Sequence, residues 1–154
     1  MKLPEVFMNE IRALLGDETD AFLESYQEGR RYGLRVNRLK ISVEAFLRIT
    51  PFQLKPIPWT TDGFYYEETE RPAKHPYYHA GLYYLQEPSA MAPVQVLDPQ
   101  PGDTVLDLCA CPGGKTLQIA AALGGEGTIV ANDIRTSRIK ALIRNLEMGG
   151  ATNV

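Results

Sequence analysis

Apolar residues follow a helical spacing at the start of the chain and an alternating spacing soon after it. Between residues 3 and 15 they recur at steps of three and four, which predicts a helix that Gly16 ends. The alternating segment YGLRVN, residues 32–37, predicts a strand. Ser42 is a suitable N-cap for a helix over residues 43–49, because its hydroxyl can accept a hydrogen bond from a first-turn amide. Three further elements are predicted in this part: a second helix up to Tyr26 and extended segments at residues 55–59 and 63–66.

The second half of the chain alternates between strand-like and helix-like patterns. Two apolar runs are each followed by a segment with helical spacing, and this order is typical of parallel strands joined by crossover helices. We expect the first of these strands to be buried. The predicted strands are residues 104–109 and 128–133, and the predicted helices are residues 115–123 and 137–148. Before them, residues 72–84 are predicted to form a connector, and Ser89 is expected to cap a helix over residues 90–97.

These patterns divide the chain into two predicted domains. Residues 1–72 form a small α+β accessory domain, and residues 73–154 form a connector plus the first half of a Rossmann-like α/β domain. A third strand would begin at ATNV, residues 151–154, so we expect the second domain to be truncated. Two parallel strands leave an apolar sheet edge open, which predicts self-association.

Composition and charge narrow the classes of function. The 154 residues are 44% hydrophobic and 23% charged, which is typical of a chain that buries a core. A formal net charge of -3 predicts no overall attraction to nucleic acids or acidic membranes. One local exception lies between residues 30 and 40, where every charged residue is basic. These residues are Arg30, Arg31, Arg35, Arg38 and Lys40.

Neither a membrane nor an oxidising compartment is predicted. The sequence has no signal-peptide pattern at its start and no apolar run of about 18 residues, so we expect no membrane association. Two cysteines in a chain of this length do not make a disulfide framework, and a reduced, cytoplasmic setting fits best.

The segment VLDLCACPGGKT, residues 105–116, is the strongest candidate for a functional site. A redox pair is disfavoured because Cys109 and Cys111 stand two apart, not in the C-x-x-C spacing. A structural zinc needs four ligands, and the sequence has only two cysteines and two histidines, so we expect no metal. A Walker-type phosphate loop needs a glycine where Cys109 stands.

A cofactor cradle accounts for the segment best. Asp107 lies in the strand, and Gly113 and Gly114 follow just before a predicted helix, where backbone amides can approach a polar or anionic ligand. Asp133 ends the next strand about 20 positions beyond Gly113, where an acid can accept hydrogen bonds from a ribose. This pattern favours an adenosine-containing cofactor. The alternatives are that Asp133 caps the following helix and that the glycines only form a tight turn.

The segment DLCACPGGKT resembles the signature of the Sun-type RNA cytosine-5 methyltransferases, which usually have alanine at the position of Cys111. The similarity extends to GLYYLQEPSAMAP at residues 81–93, to Asp133 with Arg138 and Asn145, and to the YGLRVN segment. This resemblance implies that the second domain begins a Rossmann-like methyltransferase fold. It also implies S-adenosylmethionine as cofactor and a cytosine C5 in RNA, ribosomal RNA in particular, as methyl acceptor.

The resemblance further assigns roles to individual residues. It implies that Asp133 holds the ribose of the cofactor and that Asp107 reaches the cofactor's amino group. The basic run at residues 30–40 becomes a candidate RNA surface, with a solvated helix end and strand edge as the alternative. The implied cofactor loop consists of Cys109, Ala110, Cys111, Pro112, Gly113, Gly114 and Lys115.

Methylation at cytosine C5 requires a cysteine that attacks C6 of the base. In the resembled family those cysteines lie on later strands, so the resemblance places the catalytic residues beyond Val154 and predicts a chain that is inactive alone. Two other functions stay open. One is a non-catalytic RNA-binding module, and the other is a methyltransferase that acts on a protein or a small molecule.

Overall fold

The computed structural model describes residues 3–154, and this part of the chain contains seven α-helices and six strands. The helices are α1 (Glu5–Leu15), α2 (Thr19–Ser25), α3 (Val43–Ile49), α4 (Pro76–His79), α5 (Ala92–Leu97), α6 (Gly114–Leu123) and α7 (Thr136–Gly149). The strands are β1 (Tyr32–Val36), β2 (Lys55–Pro56), β3 (Gly63–Tyr66), β4 (Tyr83–Leu85), β5 (Thr104–Asp107) and β6 (Thr128–Ala131).

The chain divides into two compact units at residues 30 and 31. The first unit holds α1 and α2, which a short 3-10 turn at Gly16–Glu18 connects. Both helices predicted for this part of the chain are confirmed, and α1 ends at Leu15 as expected. The second unit, from Arg31 to Val154, contains both sheets and the candidate site.

A four-stranded antiparallel sheet is the first layer of the second unit. Its order is β2-β3-β1-β4, so β1 lies between two neighbours. The helix α3 begins after Ser42, whose hydroxyl oxygen accepts a hydrogen bond from the Ala45 amide at 3.1 Å, and this confirms the predicted cap. The sheet and α3 enclose a core of buried apolar residues: Leu34, Val36, Phe46, Phe64 and Tyr83.

The segment predicted as a connector has regular structure. It contains α4 and β4, and β4 pairs with β1 so that Tyr84 lies opposite Arg35. The prediction of a plain connector was therefore wrong, because a short strand depends on a distant partner that its own sequence does not reveal. The domain boundary between residues 72 and 73 stays a prediction.

A second sheet contains β5 and β6 as a parallel pair, in the predicted order. Helices α5 and α6 pack near this pair, and Val94, Ile119, Leu123 and Ile129 belong to one buried cluster. The prediction that the first strand is buried was wrong. Leu106 is 58% exposed, because the sheet has two strands and much of its surface has no covering layer among residues 3–154.

At the edge of β6 the chain approaches the predicted third-strand position. The Ile129 amide donates a hydrogen bond of 2.8 Å to the Asn153 carbonyl. Over residues 3–154, no helix has the length and apolar character needed to cross a membrane. Within the same range, no cluster of three or more His, Cys, Asp or Glu side chains is arranged to hold a metal ion.

Candidate cofactor site

The predicted cofactor loop connects β5 to α6 and lines a cavity of about 210 Å³. Six of its seven residues line this cavity, all except Gly113. The opposite wall comes from β4 and the residues after it, including Tyr84, Gln86 and Glu87. The four-stranded sheet therefore contributes directly to the site.

Asp107 holds the two ends of the loop together. One of its carboxylate oxygens accepts a hydrogen bond from the Thr116 hydroxyl at 2.7 Å, and the other accepts the Cys109 amide at 3.3 Å. Inside the loop, the Gly113 amide donates to the Ala110 carbonyl at 2.7 Å, and the Cys111–Pro112 peptide bond is cis. Asp107 thus binds protein donors on both oxygens, and its predicted contact to a cofactor amino group stays a prediction.

The two glycines permit close packing at the start of α6. Gly113 has φ of 108°, and a Cβ there would lie 2.9 Å from a methyl carbon of Leu142. A Cβ on Gly114 would lie 3.0 Å from the Tyr84 ring. The first amides of any α-helix have no acceptor within the helix, and they point out of its N-terminal end. No side chain caps them in α6. Such an end favours a polar or anionic ligand group.

Asp133 lies beside the loop, after the end of β6. Its carboxylate accepts the Arg135 amide at 2.9 Å and forms an ion pair with Arg138 at 3.4 Å. The Arg135 amide is the main cause of a lowered pKa for Asp133, and the Cys111 thiol and Arg138 also lower it. Asp133 is therefore a carboxylate at neutral pH. The alternative that Asp133 caps the following helix is not met, because the N-cap of α7 is Arg135 and no side chain caps the helix. The bond from the Arg135 amide closes a local turn before α7.

Cys111 is buried and Cys109 is exposed, and neither forms a disulfide. Burial is the main cause of a raised pKa for the Cys111 thiol, and the hydrogen bond to Asp133 raises it further. A neutral thiol is a poor nucleophile. Cys111 therefore acts as a packing and hydrogen-bonding residue of the loop.

Helix α7 holds the loop from the side. Arg138 donates to the Cys111 carbonyl and Asn145 donates to the Pro112 carbonyl, each at 2.8 Å. Asn145 also lies 3.4 Å from the Tyr84 hydroxyl, which joins the loop, α7 and β4 in one network. These contacts fix the backbone of the loop before any ligand binds.

Comparison with known proteins gives the family. Residues 3–88 match the family described as N-terminal domain of 16S rRNA methyltransferase RsmF, and residues 94–154 match the family described as 16S rRNA methyltransferase RsmB/F. This chain belongs to the RsmF family. The Sun-type resemblance read from the loop is confirmed.

Two curated relatives of this RsmF-family chain are both called Ribosomal RNA small subunit methyltransferase F. The protein of Pectobacterium carotovorum is 42% identical over 162 residues, and that of Vibrio campbellii is 42% identical over 161 residues. Each match covers 98% of this chain. The chain spans 34% of the length of these relatives.

Solved structures share the fold. A methyltransferase homolog protein from Pyrococcus horikoshii is 34% identical, with a TM-score of 0.86 over 99% of this chain and 51% of that chain. NSun6 from the same organism, solved with SFG, is 19% identical, with a TM-score of 0.84 over 98% of this chain and 64% of that chain. The predicted fold class is therefore confirmed: the chain has a small N-terminal domain followed by the start of a Rossmann-like methyltransferase fold.

The predicted RNA-contact run divides into two groups in this RsmF-family chain. Arg30, Arg31 and Arg38 are exposed, as an RNA surface requires. Arg35 is only 1% exposed, and burial lowers its pKa to about 10. Its guanidinium donates to the Gln86 side chain, to the Gly114 carbonyl at 3.0 Å and to Gln118 at 3.3 Å. Arg35 thus lies out of reach of an RNA phosphate, which corrects its predicted role.

Lys40 is exposed, yet its ammonium group donates to the Ala80 and Met148 carbonyls at 2.8 and 2.7 Å. Nearby, the Asn37 amide donates to the Gly149 carbonyl at 2.7 Å. Arg35, Asn37 and Lys40 together form a polar seam that joins β1 and the residues after it to α6 and α7. Sequence patterns missed this seam because its partners are mostly backbone carbonyls far away in the chain.

Proposed function

We propose that this chain carries part of the cofactor site of an S-adenosylmethionine-dependent ribosomal RNA cytosine-5 methyltransferase. The observation that carries the proposal is the structure of the loop at Cys109–Lys115. Its glycines are closely packed, the helix that follows it begins without a side-chain cap, and the Asp133 carboxylate lies beside it. Membership of the RsmF family supports a ribosomal RNA acceptor.

The residues present fit the proposed cofactor. The first amides of α6 would bind its carboxylate or another polar group, and Asp133 would accept hydrogen bonds from its ribose hydroxyls. The Asp133 side chain is 4% exposed, and its carboxylate already binds the Arg135 amide, Arg138 and both the thiol and the amide of Cys111. A carboxylate has about four lone-pair positions, so each ribose hydroxyl would replace one of these donors. The NSun6 structure with SFG, an S-adenosylmethionine analogue, supports the cofactor class. When bound, S-adenosylmethionine supplies the methyl group.

The methyl acceptor would be activated by residues outside this chain. Attack at cytosine C6 needs a thiolate, and the Cys111 thiol is kept neutral by burial and by Asp133. The resemblance to the family supports catalytic cysteines on later strands. We therefore propose that the chain binds the cofactor in a cytoplasmic setting and does not transfer the methyl group alone.

Incubation of the purified chain with S-adenosylmethionine labelled in its methyl group, together with small-subunit ribosomal RNA, tests both parts of this proposal. The expected result is label retained by the chain as intact cofactor and none transferred to the RNA. Label in cytosine C5 would contradict the proposed inactivity. Failure of a folded chain to retain any label would contradict the proposed cofactor site.

A further inference from the structure

A groove of about 450 Å³ lies between α4 and α7, outside the cofactor cavity. Tyr78 and His79 form the α4 wall. The α7 wall is a stripe at helical spacing that includes Ser137, Lys140 and Arg144. None of the lining residues in the described range, 3–154, is acidic. We call this feature the basic groove.

The cations of the basic groove are available to a ligand. Lys140 and Arg144 are both exposed. Among residues 3–154, the side chains of Lys140 and Arg144 form neither a hydrogen bond nor an ion pair with another residue. This contrasts with Arg35 and Lys40, whose nitrogen atoms bind carbonyl or amide oxygens of the protein. The basic groove therefore presents positive charge that the fold does not use.

The basic groove adjoins the cofactor site. Asn145 lines the groove and donates a hydrogen bond of 2.8 Å to the Pro112 carbonyl in the cofactor loop. Its amide also lies 3.4 Å from the hydroxyl of Tyr84, which lines the cofactor cavity. An RNA strand bound in the groove beside Asn145 would therefore lie close to the cofactor loop.

The shape of the basic groove favours a strand over a single anion. Lys140 and Arg144 lie one turn apart on the same face of α7, about 6 Å along its axis, so the groove presents its two cations in a row. Cations in a row are suited to successive phosphates of a polyanion. Tyr78 is half-buried, with its ring centroid 5.5 Å from that of His79, and offers an aromatic surface to a base.

We propose that the basic groove binds the backbone of the RNA substrate and guides it to the cofactor site. This inference rests on the proposed function, because the choice of RNA over another polyanion follows from the methyl acceptor. It adds a second candidate RNA surface, on α4 and α7, to the exposed basic residues of the run at residues 30–40. The acidic chain, with a net charge of -3, would then hold RNA through this local patch.

Fluorescence anisotropy with the purified chain tests the proposal. The probe is a labelled single-stranded oligoribonucleotide of about 12 nucleotides, within the range that such grooves cover. Titrations at salt concentrations from about 50 to 200 mM give the dependence of affinity on salt. The test variant is Lys140→Gln with Arg144→Gln, and the charge-matched control is Arg48→Gln with Lys55→Gln, two exposed residues that do not line the groove.

The groove variant should bind the probe on the order of tenfold more weakly, and the slope of log affinity against log salt should fall by about 1.4, or 0.7 for each lost phosphate contact. The control variant should match the wild type. Equal weakening in both variants would overturn the proposal, because net charge alone would then explain it. Displacement of the probe by an equal charge of polyglutamate would overturn the choice of RNA.

Cofactor retention separates this proposal from the proposed function. The groove variant should retain S-adenosylmethionine as the wild type does, because neither substituted side chain lines the cofactor cavity. A wild-type chain that retains cofactor and leaves the probe free at low salt would overturn the groove and leave the cofactor site standing.

Discussion

Arg35 shows how one residue connects the four-stranded sheet to α6. Its guanidinium lies in the interior and reaches the Gly114 carbonyl at the start of α6 as well as Gln86 and Gln118. All three bonds come from the Nη1 atom. A lysine at this position would keep the cost of a buried charge, but its tetrahedral ammonium group does not reproduce the planar guanidinium that makes these bonds.

We predict that Arg35→Lys lowers the free energy of unfolding by about 2 kcal/mol, the range for lost hydrogen bonds to a charged group. Urea denaturation measures the change. Arg38→Lys, at an exposed position nearby, is the control and should stay within about 0.5 kcal/mol of the wild type. Equal effects of the two substitutions would show that the seam does not stabilise the fold.

The two cysteines should differ in reactivity. Cys109 is exposed, while Cys111 is buried with a pKa raised above its ordinary value of 9.0. Alkylation with iodoacetamide near neutral pH should therefore modify Cys109 first, as peptide mass spectrometry can show. The unfolded chain, where both thiols are accessible, is the control. Equal rates in the folded chain would contradict the structure of the loop.

The raised pKa of Cys111 also links this thiol to stability. The folded state binds the thiol proton more tightly than the unfolded state, so the stabilisation is fully present below pH 9.0 and is lost as pH rises through the folded pKa. Cys111→Ala removes a titrating group at a buried site. Its melting temperature should fall less between neutral and strongly alkaline pH than that of the wild type.

Sequence patterns predicted the site residues better than their roles. The loop residues line one cavity because their order in the chain is enough to bring them together. Arg35 stands in an alternating strand, and alternation predicts a solvent-facing side chain. Arg35 is buried because α6 packs over the sheet, and the local sequence pattern does not indicate this packing. For the same reason, the seam formed by Asn37 and Lys40 could not be predicted.

At the level of elements, the four-stranded sheet and the two-stranded sheet should differ in local stability. β1 has a hydrogen-bonded neighbour on each side, while β5 has only β6. Apolar residues of the smaller sheet, such as Leu106 and Val130, are more than half exposed. Local opening costs least where contacts are few.

Hydrogen exchange with mass spectrometry should show this order, with amides of β1 exchanging more slowly than amides of β5 and β6. Addition of S-adenosylmethionine should slow exchange at the start of α6, because the cofactor would bind those amides. Protection of β5 and β6 as strong as that of β1 would contradict the account of the open sheet.

Helices were more predictable than the segment between the domains. Ser42 caps α3 as predicted, because the cap and its target lie three residues apart. Ser89 does not cap its helix. The Glu87 carboxylate accepts the Ala90 amide at 3.0 Å and also receives the Ser89 hydroxyl. Ser89 and Glu87 can both accept a hydrogen bond from an amide at the start of the helix. The geometry of the turn decides which of them does so, and composition does not reveal that geometry.

For the whole molecule, the open sheet predicts self-association. Leu106 and Leu108 are 58% and 63% exposed, and Ile134 is 94% exposed. Exposed apolar groups beside an unpaired strand edge favour pairing with a second copy. Sedimentation at increasing concentration should show association, and Leu106→Lys with Leu108→Lys should reduce it. A monomer at every concentration would contradict this prediction.

The central claim is that the loop at Cys109–Lys115, together with Asp133, forms a cofactor site within this chain. Calorimetric titration of S-adenosylmethionine into the purified chain tests it most directly. Asp133→Asn is the test variant, and Asp20→Asn, in the first turn of α2, is the control for the same change of charge. Thermal melting of each variant shows whether it is folded.

We predict saturable binding by the wild type and the control. Asp133→Asn should bind at least tenfold more weakly, since a hydrogen bond to a charged acceptor contributes about 1.5 kcal/mol or more. Equal affinity in the wild type and Asp133→Asn would contradict the ribose contact. Absence of binding by a folded wild-type chain would contradict the claim that this chain forms the cofactor site by itself.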